Sequence, residues 1–148
     1  MIIYDVYGKK LLEIPGANLS GANLFEANLS EAYLSGAIGL EQTIIVPDGN
    51  LIVYKKCSND IIATLEIPTS AKRSNSTSRK CRAEYAKILS LEYNKKFVDT
   101  AHSMHDEKFK YEVGKVVKCD KWDENRWNEC SGGIHFFLTR KEAEDFSL

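Results

Sequence analysis

GANLSGANLFEANLSEAYLSGA, residues 16–37, repeats itself every five positions. Leu19, Leu24, Leu29 and Leu34 share one phase. Ala17, Ala22, Ala27, Ala32 and Ala37 stand two places before that phase, and Asn18, Asn23 and Asn28 lie between. A period of five fits neither an amphipathic helix nor a strand. It fits a chain that turns a corner every five residues, with Leu and Ala inward and Asn, Ser, Glu and Gly outward. Ile14 extends the beat backwards by one unit, and it fades at Ile38 and Gly39.

At these residues the chain resembles the pentapeptide-repeat family, whose unit reads A-(D/N)-L-x-x. That resemblance implies a square right-handed β-helix with about four units per coil, its coils stacked at strand spacing, about 4.8 Å. Five or so units make little more than one coil. Repeat architectures need several stacked units to cover their open faces, so this coil is expected to pack on the rest of the chain, on a second copy, or on both. Long rods of this family are known as DNA mimics; so short a block gives no rod, and DNA mimicry is not expected. Phe25 and Tyr33 fall at outward phases, where they would meet the C-terminal region or another subunit.

The 148 residues suit one domain, or one domain with a short appendage. The net charge of −1 excludes bulk electrostatic binding of polyanions. No apolar run approaches the roughly 20 residues of a membrane span. The opening MIIYDVYGKK lacks the order of a secretory signal. A cytoplasmic protein is expected, with Cys57, Cys81, Cys119 and Cys130 reduced. Their scatter, without a CxxC pair, gives neither a disulfide framework nor a zinc pattern.

From Thr43 the texture changes. TIIV and LIVYKK flank PDGN and predict a hairpin; CSND turns the chain into a third strand, IIATLEI. Residues 69–82 are polar, basic and Ser-rich. KILSLEY (87–93) predicts a strand, NKKFVDTAHSMHDEK a loop, and FKYEVGKVVKC two short runs about Gly114. IHFFL has the pattern of a core strand. Thr139 and Glu142 have the spacing of a capping box for a terminal helix. YKKC (54–57), AKRSN (71–75), RKCRAE (79–84), YEVG (111–114), RWNEC (126–130) and GIHFF (133–137) resemble an uncharacterised domain that follows pentapeptide repeats in phage and bacterial proteins. The resemblance spans nearly all of residues 43–148 and implies an architecture and a phage-like setting, without an activity.

Two stretches carry candidate chemistry. Residues 69–96 hold eight Lys or Arg against Glu84 and Glu92. Lys72, Arg73, Arg79, Lys80 and Arg82, with nearby Ser and Thr hydroxyls, suit phosphate oxygens; the alternative is a solvated loop. In RWNECSGGIHFF, Trp127 would stack on a base and Arg126 and His135 hydrogen-bond it, while the Gly-Gly turn would offer N–H groups to an anion. Against this stands a structural role, with Trp127 as an anchor. Cys130 and His135 also meet the minimal needs of a thiol nucleophile and base, or of part of a zinc site.

The expectation is a mainly β fold. Residues 1–42 form an N-terminal strand and coil, and 43–148 an antiparallel β domain ending in a short helix, the two sharing one core. The unfinished coil's free edges predict a homo-oligomer. The expected function is non-enzymatic binding of a small phosphate-bearing molecule, such as a nucleotide immune signal, sequestered in a host cytoplasm if the protein is phage-encoded. The ligand residues would be Lys72, Arg73, Arg79, Lys80, Arg82, Arg126, Trp127 and His135, with no cofactor, metal or membrane. The alternatives are a module binding a host protein, and a small Cys/His hydrolase or zinc protein.

Overall fold

The computed structural model describes residues 2–4, 10–13, 18–32, 34 and 36–147. Ile14, Ala17 and Tyr33 lie outside them. Strands β1 (Ile2–Tyr4) and β2 (Lys10–Glu13) pair antiparallel. The five-residue beat then makes one coil. At each corner the Ala N–H donates to the carbonyl of the Leu three residues earlier: Ala22 to Leu19, Ala27 to Leu24, Ala32 to Leu29 and Ala37 to Leu34, at 3.0–3.1 Å. The Asn of three units locks the following corner, its Oδ1 accepting from the N–H two residues on: Ser20, Phe25 and Ser30. This is the Asx turn that Asn favours. Leu19, Leu24 and Leu29 are buried, the Ala residues pack beside them, and Asn18, Asn23 and Asn28 are exposed. The inward and outward phases are those the sequence predicted.

The coil closes once. Asn18 bridges Ile38 in parallel, four units on, and Leu19 N–H donates to Ile38 O at 2.9 Å. Gly39 ends the turn at φ 83°, where a Cβ would lie 2.3 Å from the Ser20 nitrogen. Its loss of the Leu pattern is therefore a requirement of closure: the first and second passes of backbone touch there. A 3-10 turn, Leu40–Thr43, leads away. From it Gln42 reaches back to the coil, Nε2 donating to Leu19 O (2.6 Å) and Oε1 accepting from Gly21 N–H (3.0 Å).

The C-terminal region is built on an antiparallel sheet of β3 (Leu51–Lys56), β4 (Ile62–Ile67) and β7 (Tyr85–Tyr93). Its β7 edge is shared by β8 (Lys96–Val98) and β11 (Val116–Lys118). A second sheet runs β12 (Ile134–Phe136), β6 (Cys81–Ala83), β5 (Arg73–Asn75). Strands β9 (Thr100–His102) and β10 (Lys110–Glu112) pair across one end. Val53, Leu65, Ile67, Ile88, Leu91, Ile134 and Phe136 fill the core of this region, while the coil's Leu19, Leu24 and Leu29 form a second cluster closed by Trp127, so the described residues show two cores where one was expected. Helix α1 (Arg140–Asp145) starts with the expected capping box of Thr139 and Glu142. The fold is mainly β, as predicted.

Three local expectations are corrected. TIIV is not a strand: the N–H groups of Ile45 and Val46 donate to Oδ1 of buried Asn75, and β3 pairs with β4 instead. The Ser-rich stretch is not a solvated loop, because it contains the β5–β6 hairpin. The stretch read as a loop at 94–108 contains β8 and β9, strands of three residues each, too short for an alternating pattern to stand out in the sequence.

Coil and β region are joined at one seam. Arg126 donates to Asn75 O (2.7 Å), Leu40 O (3.2 Å) and Thr43 Oγ1, and lies over the Trp127 ring. Trp127 packs against the leucine cluster of the coil. Thr77 Oγ1 donates to Ala27 O at 2.7 Å and Asn125 Nδ2 to Ser30 O at 3.4 Å. The coil's leucines are thereby closed by a side chain of the other region, as a single coil requires.

Candidate functional site

Most of the cationic residues singled out in the sequence are held by the protein's own atoms. Arg73 donates to the carbonyls of Gly49 (2.5 Å), Ala71 (3.2 Å) and Pro68. Arg82 is buried, donating to the carbonyls of Asp123 (2.7 Å), Asn125 (2.7 Å) and Gly132 (3.0 Å), its guanidinium 4.6 Å from the Trp122 ring centroid. A guanidinium carries five N–H donors in a rigid fork, so one Arg can fasten three loop carbonyls that would otherwise need water. Lys72 pairs with Glu124, and Arg79 with Glu142 at 2.5 Å. Lys72, Arg73, Arg82 and Arg126 are thus taken up by contacts of the fold, whereas Arg79 and Trp127 line one cleft together with Lys80. The Gly-Gly turn is likewise steric: a Cβ on Gly132 would lie 1.8 Å from Lys121 O, and one on Gly133 2.9 Å from Arg82 Cβ.

Lys80 and His135 do come together, on a cleft of about 580 Å³. Its floor includes Lys55 of β3, Tyr111 of β10 and His135 of β12. Its walls include two tilted aromatic pairs, Phe109 with Tyr111 and Phe137 with Phe146, each with centroids 5.3 Å apart. Lys80, Lys121 and Cys130 also line it.

Lys55 is the residue that the sequence reading missed. Strand alternation puts positions 51, 53 and 55 on the core side of β3, and the third of these is Lys rather than an aliphatic residue. Only 9% of its surface is exposed. Nζ donates to His135 O at 3.2 Å and lies 5.7 Å from the Tyr111 ring centroid. Among the described residues it has no carboxylate partner. Burial lowers its pKa, with a further lowering from Lys80. Cys57 offers little compensation, since burial pushes its thiol up to about 11 and keeps it neutral. The signal that locates this site is a lysine at an inward strand position.

His135 is held neutral. Burial, then the charges of Lys55 and Lys80, lower its pKa to about 4. Its Nε2 lies 3.1 Å from Glu129 O. A carbonyl only accepts, so Nε2 carries the proton and Nδ1 the lone pair. Cys130 Sγ faces Lys80 Nζ at 3.1 Å, so the two members of the candidate thiol pair engage different partners. Among the described residues no three His, Cys, Asp or Glu side chains gather as metal ligands would.

A larger cleft of about 880 Å³ lies beside this one, along the seam with the coil, and shares Lys80, Cys130, Phe137 and Phe146 with it. Phe25, 59% exposed, lines it together with Arg79, Glu129, Glu142 and Asp145. Its charges are mixed and largely paired with one another.

Residues 42–143 match the model described as Family of unknown function (DUF5758), and residues 14–38 match that for Pentapeptide repeats (8 copies). The first match covers more than half of the chain. The protein belongs to the DUF5758 family and carries a short pentapeptide-repeat block ahead of that domain. No curated protein and no solved structure matches it. Among the described residues no helix is long and apolar enough to cross a membrane.

Proposed function

We propose that this protein binds, without converting it, a small anionic molecule of nucleotide type in the Lys55 cleft. The observation that carries the reading is the buried Lys55, set beside Lys80 and without a carboxylate opposite. A buried amine in that setting gains most from an anion that enters the cleft. The cleft volume is in the range of small-molecule sites. Phe109, Tyr111, Phe137 and Phe146 offer apolar faces for a planar ring, and Lys121 and Lys80, the latter 3.8 Å from the Glu129 carboxylate, offer charge for a phosphate. A protein of this kind would act by lowering the free concentration of its ligand, as expected for sequestration of a nucleotide signal.

Thermal unfolding in a panel of nucleotides and inorganic phosphate tests this. A ligand at a hundred times its Kd adds about 2.7 kcal/mol to the native state. Lys80→Ala is expected to remove that shift, with only a small drop in the unliganded melting temperature from the loss of its contacts with Cys130 and Glu129. Were no phosphate compound to raise the melting temperature, the reading would be abandoned.

A further inference from the structure

The donors and acceptors around Lys55 specify more than a cation. An ammonium has three N–H groups to satisfy and a neutral amine has two, with a free lone pair. Nζ has a single acceptor among the described residues, the carbonyl of His135. The charged group that bears on it within the cleft, Lys80, is of like sign, His135 is neutral, and the flanking Tyr111 and Cys57 are protonated. Asp106 and Asp120 line the same cleft without pairing to it. This is a setting that favours a nucleophilic lysine: a buried amine beside a second cationic group, which gives up its proton more readily than a free lysine does.

We propose that Lys55 captures carbonyl compounds covalently, forming an imine with an aldehyde or ketone that also bears an anionic group. The proposal rests on the anion-binding reading of the cleft and adds the reacting atom. The Nζ lone pair attacks the carbonyl carbon and a C–N bond forms. The carbonyl oxygen takes up two protons and leaves as water as the C–O bond breaks. The two protons are in balance those that the amine gives up, so no oxidant or reductant is needed. The Lys80 ammonium, lining the same cleft, lends a proton to the departing oxygen and recovers one afterwards. Lys80 and Lys121 hold the anionic end of the ligand, and the aromatic pairs lie against its ring.

The probe is pyridoxal 5′-phosphate, an aldehyde and a phosphate in one planar molecule, with pyridoxine 5′-phosphate, the corresponding alcohol, as control. Full-length protein is incubated with each, reduced with borohydride and mapped by peptide mass spectrometry. One adduct per chain at Lys55 is expected with the aldehyde and none with the alcohol. Lys55→Met, whose side chain keeps the length and loses the charge, should fold with a melting temperature no lower than the parent's and show no adduct. Adducts spread evenly over surface lysines would overturn the proposal. So would a thermal shift given equally by both compounds with no adduct, although anion binding would then stand. An adduct at Lys55 with no thermal shift from any phosphate compound would support the reactive amine and remove the anion-binding reading.

Discussion

The guanidinium carbon of Arg126 sits 3.9 Å from the ring centroid of Trp127, its neighbour in sequence. One residue thus faces the loop carbonyls of both regions while the next covers the coil's leucines. Arg126→Ala would take a donor from the Asn75 carbonyl and leave the Leu40 carbonyl with Thr43 Oγ1 alone, and would leave the indole unsupported. A loss of about 3 kcal/mol is expected, with residues 18–42 cleaved first in limited proteolysis. Cleavage spread evenly over the chain would show that the seam is not the weak point.

Gly39→Ala should be among the most damaging single changes in the coil. The residue lies at φ 83° with the Ser20 backbone in the path of any Cβ. A loss of about 2 kcal/mol or more is expected from the clash and the left-handed backbone together. Gly36→Ala, at φ 72° with open space around it, should cost only about 1 kcal/mol. Chemical denaturation of the two variants gives the comparison.

Arg82→Met removes the donors that fasten residues 123–132. The carbonyls of Asp123 and Gly132 would lose the Arg82 donors and Asn125 O would keep only the Asn128 N–H, and a loss of about 3 kcal/mol is expected. The variant should melt at much lower temperature with or without ligand, so it cannot serve as a binding-site mutation. Retention of the parent's stability would show that water replaces the guanidinium at little cost.

His135 gives a pH window. Its pKa falls from an ordinary 6.5 to about 4 on folding. The unfolded chain therefore binds more protons between those values, and stability rises with pH across them. The contribution is complete above about 6.5 and is lost as the pH falls towards 4. Denaturant titrations from pH 4 to 7 should show that slope in the parent and a shallower one in His135→Gln. Equal slopes would assign the effect to other groups.

The five-residue beat was legible because three successive units repeat the same two tasks, a buried Leu and an Asn that locks a corner. The terminal helix was legible because Thr139 and Glu142 state its cap locally. The seam and the cleft were not, because their partners are far apart in sequence. Arg82 and Asn125 are separated by a long stretch of chain, and nothing near RKCRAE says that its arginine ends among loop carbonyls. A cluster of cations suggested phosphate, whereas several of those cations satisfy carbonyls that the loops leave bare. Lys55 was overlooked because YKK at a strand end looks like exposed charge, whereas alternation along β3 puts it on the core side with Leu51 and Val53.

The bridge from Asn18 to Ile38 has a bearing on how such a protein can grow. Because the spiral comes back above its own starting side after four units, extra repeats can be added only in complete laps if Gln42 and Thr43 are to stay in place. Adding one, two or three units would make the chain leave from a different side of the square and carry the Arg126 anchor points away from their carbonyls. Repeat number in functional relatives with this seam should therefore change in steps of four.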